Sequence, residues 1–521
     1  MLANSQMKTF NINDFGDTEV WDLICTGKTK GVFQLESNLG RHWAKQLKPR
    51  NLSELAALIS LIRPGCLKAY VDGKSMTQHY IDRKHAKDPV TYPHDALESI
   101  LKETYGVLVY QEQSMMIAQK LAGFSLKEAD SLRKAIGKKN AALMNEVKEQ
   151  FIHGAERLNI VTKESAEEIF SWIEKSNRYA FNKSHAVSYA INAYWSAYCK
   201  KWKPLSFYKT YLNHAHRKPD SQKEIKELIT DAKSNDIDVY PPRLDNLYTD
   251  FTIKNGKIFF GLNHIKNVGE AECKKIQEIK YNHDITKYTW LDCLINIIHR
   301  HNLNKRSVIA LISAGAFNGK SNLEHRKKML YEYDSWKLLS NREQDHIANN
   351  YLGKKSLYDC IIDLLSTLKI VQSRQQILLD ISNSLKNPMY NLEDSIVTIA
   401  EEESKYFGCS LTCNKTDASD QFLASNMCKD ISNGLITGKA NIVVSINSVR
   451  QYKTKKGKNP GQIMAFLCAE DSSGMLDSIT IFPETYSEYK DLLTEGNTVY
   501  INGEISKKEN TSLIVNKVTQ V

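Results

Sequence analysis

Up to about Tyr211, apolar residues recur mostly at helical spacing. Ser125-Leu126-Lys127-Glu128 has the form of a capping box, with Ser at the N-cap and Glu three residues on. The helix it opens is expected to bury Ala129, Leu132 and Ile136, and Gly137 stands where a left-handed cap can end it. Arg133 and Lys134 project from another face of that helix, and Lys138 and Lys139 follow its end. A second helix is predicted from about His185 to Trp202, with an apolar stripe of Val187, Ala190, Ile191, Tyr194 and Tyr198, and Pro204 stops it.

From about Lys223 to Lys280 the pattern predicts a helix, a turn at Pro241-Pro242 and short strands. Residues 251–253 and 258–260 read as a hairpin around Asn255-Gly256. Helical segments resume to about Ser335. Residues 340–433 are polar and weakly periodic, and are read as linker plus small helices. The last part changes class, to short strand-like runs separated by turn signals. Residues 443–449, 463–467, 476–482, 499–501 and 513–515 are five strand-like runs, with a helix at about 485–493 between the third and fourth. The expected architecture is multidomain α+β: two mostly helical parts and a C-terminal five-stranded barrel of the OB type.

A length of 521 residues suits about three or four domains. The formal net charge of +10 fits nucleic acid or phosphate partners without requiring them. Ten scattered Cys and a polar start at Met1–Phe10 point to free thiols and the cytoplasm. The tightest pair, Cys409 and Cys413, has no second pair or His at metal-ligand spacing. No apolar run is long enough to span a bilayer.

Four places could carry chemistry. Arg133, Lys134, Lys138 and Lys139 around one helix end suit either a triphosphate or a solvated cationic face. Phe181-Asn182-Lys183-Ser184-His185 stands at a helix start, where amides and a Lys can meet an anion, or where Asn182 or Ser184 simply caps. The stretch 265–272 resembles a helix-hairpin-helix, with Lys266, Asn267 and Gly269 turned toward a DNA phosphate, the Gly allowing the tight turn. An ordinary helix–helix turn is the alternative. Lys453, Lys455 and Lys456 lie in the first barrel loop, beside Tyr452, which can stack on a base; a solvated charge run reads the same way.

In family order, these segments join Gly31–Ser37 (GVFQLES), Leu61–Gly65 (LIRPG), Tyr80–His85 (YIDRKH), Thr104–Gln113 (TYGVLVYQEQ), Leu303–Arg306 (LNKR) and Ser313–Phe317 (SAGAF). Together they resemble the alpha subunit of bacterial DNA polymerase III, a C-family DNA polymerase. The resemblance implies a palm-proximal remnant at 1–20, fingers at 21–240, a helix-hairpin-helix domain at 243–335, a linker with a candidate sliding-clamp segment at 336–435 and an OB domain at 436–521.

By motif it also implies dNTP contacts from Arg133, Lys134, Lys138, Lys139, Asn182, Lys183 and His185, with Arg63 and Gln111 shaping the pocket. Primer–template DNA, dNTPs and the clamp are the implied partners, the last through Gln375–Leu379 (QQILL). Cys66 stands where the family usually has Pro, Lys134 where Arg is usual, and Ala186 where some members have Ser. Asp14, Asp17 and Glu19 match no palm motif. The expectation is therefore a split replicative polymerase. A palm- and PHP-bearing chain would supply the catalytic aspartates and the Mg²⁺ ligands, this chain binding no cofactor alone, in a bacterial cytoplasm; a split polymerase would also suit a phage. A non-catalytic DNA-binding or scaffolding protein derived from such a polymerase is the alternative.

Overall fold

The computed structural model describes residues 11–138, 141–177, 180–319, 324–351, 353, 356–419, 424–454, 460–507 and 511–521. The chain divides into two compact units, Met1–Phe207 and Tyr208–Val521. Among the described residues no helix is long and apolar enough to cross a membrane.

The first unit holds two apolar cores. One gathers around helix Lys183–Trp202 and helix Leu52–Leu61, whose residues Glu54 to Leu61 are all buried. The buried face of Lys183–Trp202 is Ala186, Ala190, Ala193, Tyr194, Ala197 and Tyr198. Of the predicted stripe, Ala190, Tyr194 and Tyr198 are buried as expected, while Val187 and Ile191 are only partly buried. Small alanines let the two helix backbones approach closely, so the wider side chains are turned to the flanks. The buried Glu54 carboxylate accepts three hydrogen bonds. Lys84 Nζ donates to it at 2.8 Å, the Arg50 amide at 2.7 Å and the Tyr105 hydroxyl at 3.0 Å.

The other core is built from helices Gln111–Ala122, Leu126–Lys138, Ala141–Leu158 and Lys163–Asn177. Gly154 marks the closest approach between two of them. A Cβ there would lie 2.1 Å from the Ala122 carbonyl oxygen. The capping box forms as expected, the Ser125 amide donating to Glu128 at 2.7 Å and the Glu128 amide to the Ser125 hydroxyl at 3.3 Å. The helix does not end at Gly137 but runs on to Lys138, a glycine costing only about 1 kcal/mol inside a helix otherwise supported.

A short parallel bridge joins the cores. The Phe181 amide donates to the Val109 carbonyl at 2.9 Å, and the Gln111 amide to the Phe181 carbonyl at 3.0 Å. Buried Gln113 clamps this crossing. Its carbonyl oxygen accepts from the Val109 and Tyr110 amides, both at 3.0 Å, and its amide donates to Thr104 Oγ1 at 2.8 Å and to the Ile100 carbonyl at 3.2 Å. A fully satisfied buried amide of this kind fixes one local geometry.

In the second unit, helix Ser221–Ser234 precedes a three-stranded sheet of Val239–Tyr240, Lys257–Phe259 and Thr252–Lys254. The hairpin turn is made by Asn255 (φ 51°) and Gly256 (φ 71°), as the Asn-Gly signal predicts. Helix Glu270–Asn282 follows, then Trp290–Asp292 running into a π-helix at Cys293–His299, then Lys305–Ser313 and Arg326–Lys337. The described residues of 340–433 include the small helices expected there. These are helices Asn341–Asn349, Leu357–Thr367, Gln372–Lys386 and Ile396–Phe407, which bury Ile347, Ile361, Leu364, Leu378 and Phe407. The weak periodicity arises because each helix buries a narrow stripe and shows polar residues elsewhere.

Strands Lys439–Lys453, Ile463–Asp471, Gly474–Ile481, Thr498–Ile505 and Leu513–Gln520 close into a barrel. The first pairs antiparallel with the second and fourth, the second with the third, and the fourth with the fifth; the fifth runs parallel to the third. Helix Pro483–Tyr489 sits between the third and fourth strands, as predicted. This is the five-stranded arrangement of an OB-type barrel.

Candidate functional site

Helix Leu126–Lys138 buries Ala129, Leu132 and Ala135 and turns Arg133 and Lys134 outward. Neither cation is bare. Arg133 lies 2.7 Å and Lys134 2.8 Å from the Asp130 carboxylate, one turn earlier on the same helix. Those contacts, that of Lys134 first, hold the Asp130 carboxyl below the usual carboxylate range. The Lys138 side chain and all of Lys139 lie outside the described residues.

Helix Lys183–Trp202 starts with a side-chain cap: Asn182 Oδ1 accepts from the His185 amide at 2.9 Å. The anion position at this start is occupied by a carboxylate of the protein itself. Glu112 accepts from the Lys183 amide at 2.9 Å and from Asn182 Nδ2 at 2.8 Å. Lys183 Nζ pairs with Glu103 at 2.6 Å. Glu112 stands in the first turn of Gln111–Ala122, and that same helix packs against Leu126–Lys138 in the second core. One strut therefore supports both cationic groups.

Beside this start runs a ladder of π faces. The Arg63 guanidinium lies 3.7 Å from the centroid of the Phe181 ring. Phe181 meets His185 at 5.3 Å, His185 meets Tyr189 at 4.1 Å, and Tyr189 meets Phe33 at 5.0 Å between centroids. The Gln111 side-chain amide makes a long contact, 3.5 Å, to the Ala180 carbonyl. Burial pushes the Cys66 thiol up to about 11, leaving it protonated and unreactive near neutral pH. Sequence reasoning singled out Phe181 and His185 but not Tyr189 or Phe33; the i, i+4 spacing of 181, 185 and 189 is the signal that could have found Tyr189.

In the second unit, the 265–269 turn differs from expectation in one respect. The left-handed residue is Asn267 (φ 73°), whereas Gly269 is an extended N-cap (φ −93°) of helix Glu270–Asn282 without a side-chain cap. Asn tolerates that conformation, and Gly269 leaves the helix amides uncovered. The Lys266 amide is fixed by the Tyr406 carbonyl at 2.9 Å. A second helix start lies against the turn: Ser307 Oγ donates to the Asn267 carbonyl at 2.7 Å, and Asn304 caps Lys305–Ser313. Asn267, Gly269, Asn304, Lys305, Arg306 and Ser307 line one open depression of about 650 Å³. Sequence reasoning gave no site role to Lys305, Arg306 and Ser307, because only folding brings that segment to the turn.

On the barrel, Lys453 and Tyr452 are exposed, and Lys455 and Lys456 lie outside the described residues. Arg450 is cross-strand to Phe466 and Tyr452 to Met464, which puts an aromatic and cationic strip on the outer face. The Gln375–Leu379 segment is one turn of helix Gln372–Lys386, with Leu378 buried and Ile377 and Leu379 exposed. Among the described residues no three His, Cys, Asp or Glu side chains are grouped to hold a metal ion. Cys409 is buried and Cys413 Sγ donates to the Ile396 carbonyl.

Comparison with known proteins fits these features. The model of the bacterial DNA polymerase III alpha subunit finger domain matches residues 2–159, and a helix-hairpin-helix motif model matches residues 236–329. The DNA polymerase III subunit alpha of Aquifex aeolicus is 34% identical over 507 residues, which are 96% of this chain and 39% of that protein. Those of Staphylococcus epidermidis and Staphylococcus aureus are each 30% identical, covering 99% and 97% of this chain and 44% and 43% of their own lengths. The chain spans less than half the length of the curated relatives it matches. With similarity along almost all of its own length, a finger-domain match and a helix-hairpin-helix match, the chain is homologous to the bacterial DNA polymerase III alpha subunit, and its described residues end in a closed five-stranded barrel.

Proposed function

We propose that this chain holds the incoming dNTP and the primer–template duplex for template-directed DNA synthesis, while the catalytic aspartates and the Mg²⁺ they bind come from polypeptide outside these residues, on a palm-bearing partner chain. Arg133, Lys134, Lys138 and Lys139 neutralise the triphosphate. Asn182, Lys183 and His185 close the other side, and Arg63, stacked on Phe181, keeps that side in place, with Gln111 at its edge. Nucleotidyl transfer needs little from such a site beyond positioning and positive charge. The observation that carries this reading is the shared strut: Gln111–Ala122 packs against the helix of Arg133 and holds the start of the helix bearing Lys183 through Glu112.

DNA phosphates are bound by Lys266, Asn267 and Gly269 together with Lys305, Arg306 and Ser307, and by Lys453, Lys455 and Lys456 of the barrel. Gln375–Leu379 is the candidate clamp contact. The metal-dependent activation of the primer hydroxyl is assigned to the partner.

The test is primer extension with Mg²⁺ and dNTPs. The chain alone is expected to give no product, and a palm-bearing polypeptide added to it should restore extension; product from the chain alone would refute the division of labour. Failure to bind DNA would sink the polymerase reading, whereas DNA binding without rescue by any palm chain would favour a scaffolding role. DNA affinity should also fall steeply with salt, each phosphate contact contributing about 0.9 to the slope of log K against log salt. Lys305→Ala with Arg306→Ala is expected to lower that slope by roughly one to two. An unchanged slope would remove those residues from the interface.

A further inference from the structure

Every described Lys or Arg side chain assigned above to the triphosphate already carries a carboxylate. Asp130 takes both Arg133 and Lys134, and Glu103 takes Lys183. We propose that Asp130 and Glu103 are phosphate stand-ins, holding these cations in place while no nucleotide is bound and giving them up when the triphosphate arrives. This regulation of the nucleotide site rests on the triphosphate reading.

Three cations against two carboxylates leave the group with one net positive charge, which is a poor match for a polyanion. The carboxylates must therefore release the cations for the site to work at full strength. Their attachment is weak enough to allow it. Arg133 is 40% exposed, Lys134 56% and Lys183 38%, and ion pairs this well hydrated are loose tethers. A guanidinium on phosphate forms two charge-assisted hydrogen bonds at once, so the exchange runs toward the nucleotide. The pairs also serve a purpose, since they keep long side chains from scattering over many rotamers before the ligand binds.

The placement supports the same view. Asp130 precedes Arg133 by three residues and Lys134 by four, the spacing that puts all three on one helix face. Glu103 reaches Lys183 from 80 residues away in the chain. Glu112 differs from both. Its two oxygens hold the Asn182 amide group and the Lys183 backbone, so it fixes the helix start and has no cation to release.

The experiment is calorimetric titration of the full chain with Mg²⁺·dATP, using Asp130→Asn, Glu103→Gln and, as reference, Arg133→Ala. Both carboxylates are partly exposed, so the two neutral variants fold, which circular dichroism checks. Each is expected to bind nucleotide roughly three- to tenfold more tightly than the unsubstituted chain, and Arg133→Ala more weakly. If Arg133→Ala weakens binding while Asp130→Asn or Glu103→Gln leaves it unchanged or weakens it, the stand-in role of that carboxylate is overturned and the triphosphate reading survives. If Arg133→Ala has no effect, or the unsubstituted chain binds no nucleotide at millimolar concentration, the triphosphate reading fails and takes this inference with it.

Discussion

Arg326→Ala is expected to destabilise the second unit by about 3–5 kcal/mol, the cost of stranding a buried charge. Glu403 is fully buried, and Arg326 NH2 donates to it at 2.7 Å. The same carboxylate accepts from the Leu411 amide at 2.7 Å and the Thr412 amide at 2.8 Å. Arg326 also donates to the Ser313 carbonyl at 2.8 Å, so the pair ties three segments of the helical region together. Without the guanidinium, the buried Glu403 carboxylate loses its cationic partner and is left with neutral donors such as the Leu411 and Thr412 amides. Replacing both partners by leucine does not escape the loss, because the Leu411 and Thr412 amides then lose their acceptor. Urea denaturation gives the size of the effect, and hydrogen exchange at the Leu411 and Thr412 amides should speed up with it. A loss below about 1 kcal/mol would mean the pair is far better hydrated than its burial indicates.

Arg133→Ala is expected to lower kcat/KM for dNTPs in the assembled polymerase by roughly 10- to 100-fold, while DNA affinity stays nearly constant. A hydrogen bond to a charged group contributes about 1.5–3 kcal/mol, which converts to that range. The side chain is 40% exposed and its ion pair is with Asp130 on its own helix, so its removal should leave the fold intact. Arg133→Lys should recover only part of the activity, because an ammonium lacks the planar fork that meets two phosphate oxygens. Steady-state kinetics and a DNA-binding titration on the same preparations decide the matter. Equal losses in both would mean that this helix face serves DNA.

Much of the local structure was legible in the sequence. Ser125 and Glu128 announced a helix start, Asn255-Gly256 a hairpin, and five strand-like runs separated by turn signals the barrel. These signals act over a few residues, where backbone geometry and hydrogen-bond reach leave little choice. Other features were misjudged because they depend on what packs opposite. Val187 and Ile191 of the predicted Lys183–Trp202 stripe are only partly buried while Ala186, Ala193 and Ala197 join it, and the left-handed residue of the 265–269 turn is Asn267.

The sequence by itself determined which residues carry charge, where the helices and strands begin, and, through its ordered motifs, the family. Only the tertiary structure decided what those charges face. Glu103 and Glu112 come to Lys183 and Asn182 across 80 and 70 residues of chain, and Ser307 comes to Asn267 across 40. The ladder from Arg63 to Phe33 likewise draws on three separate segments. The physical reason is range: caps and turns are settled between chain neighbours, whereas the partner of a surface cation is set by the burial of apolar faces elsewhere, which carries distant carboxylates into contact with it.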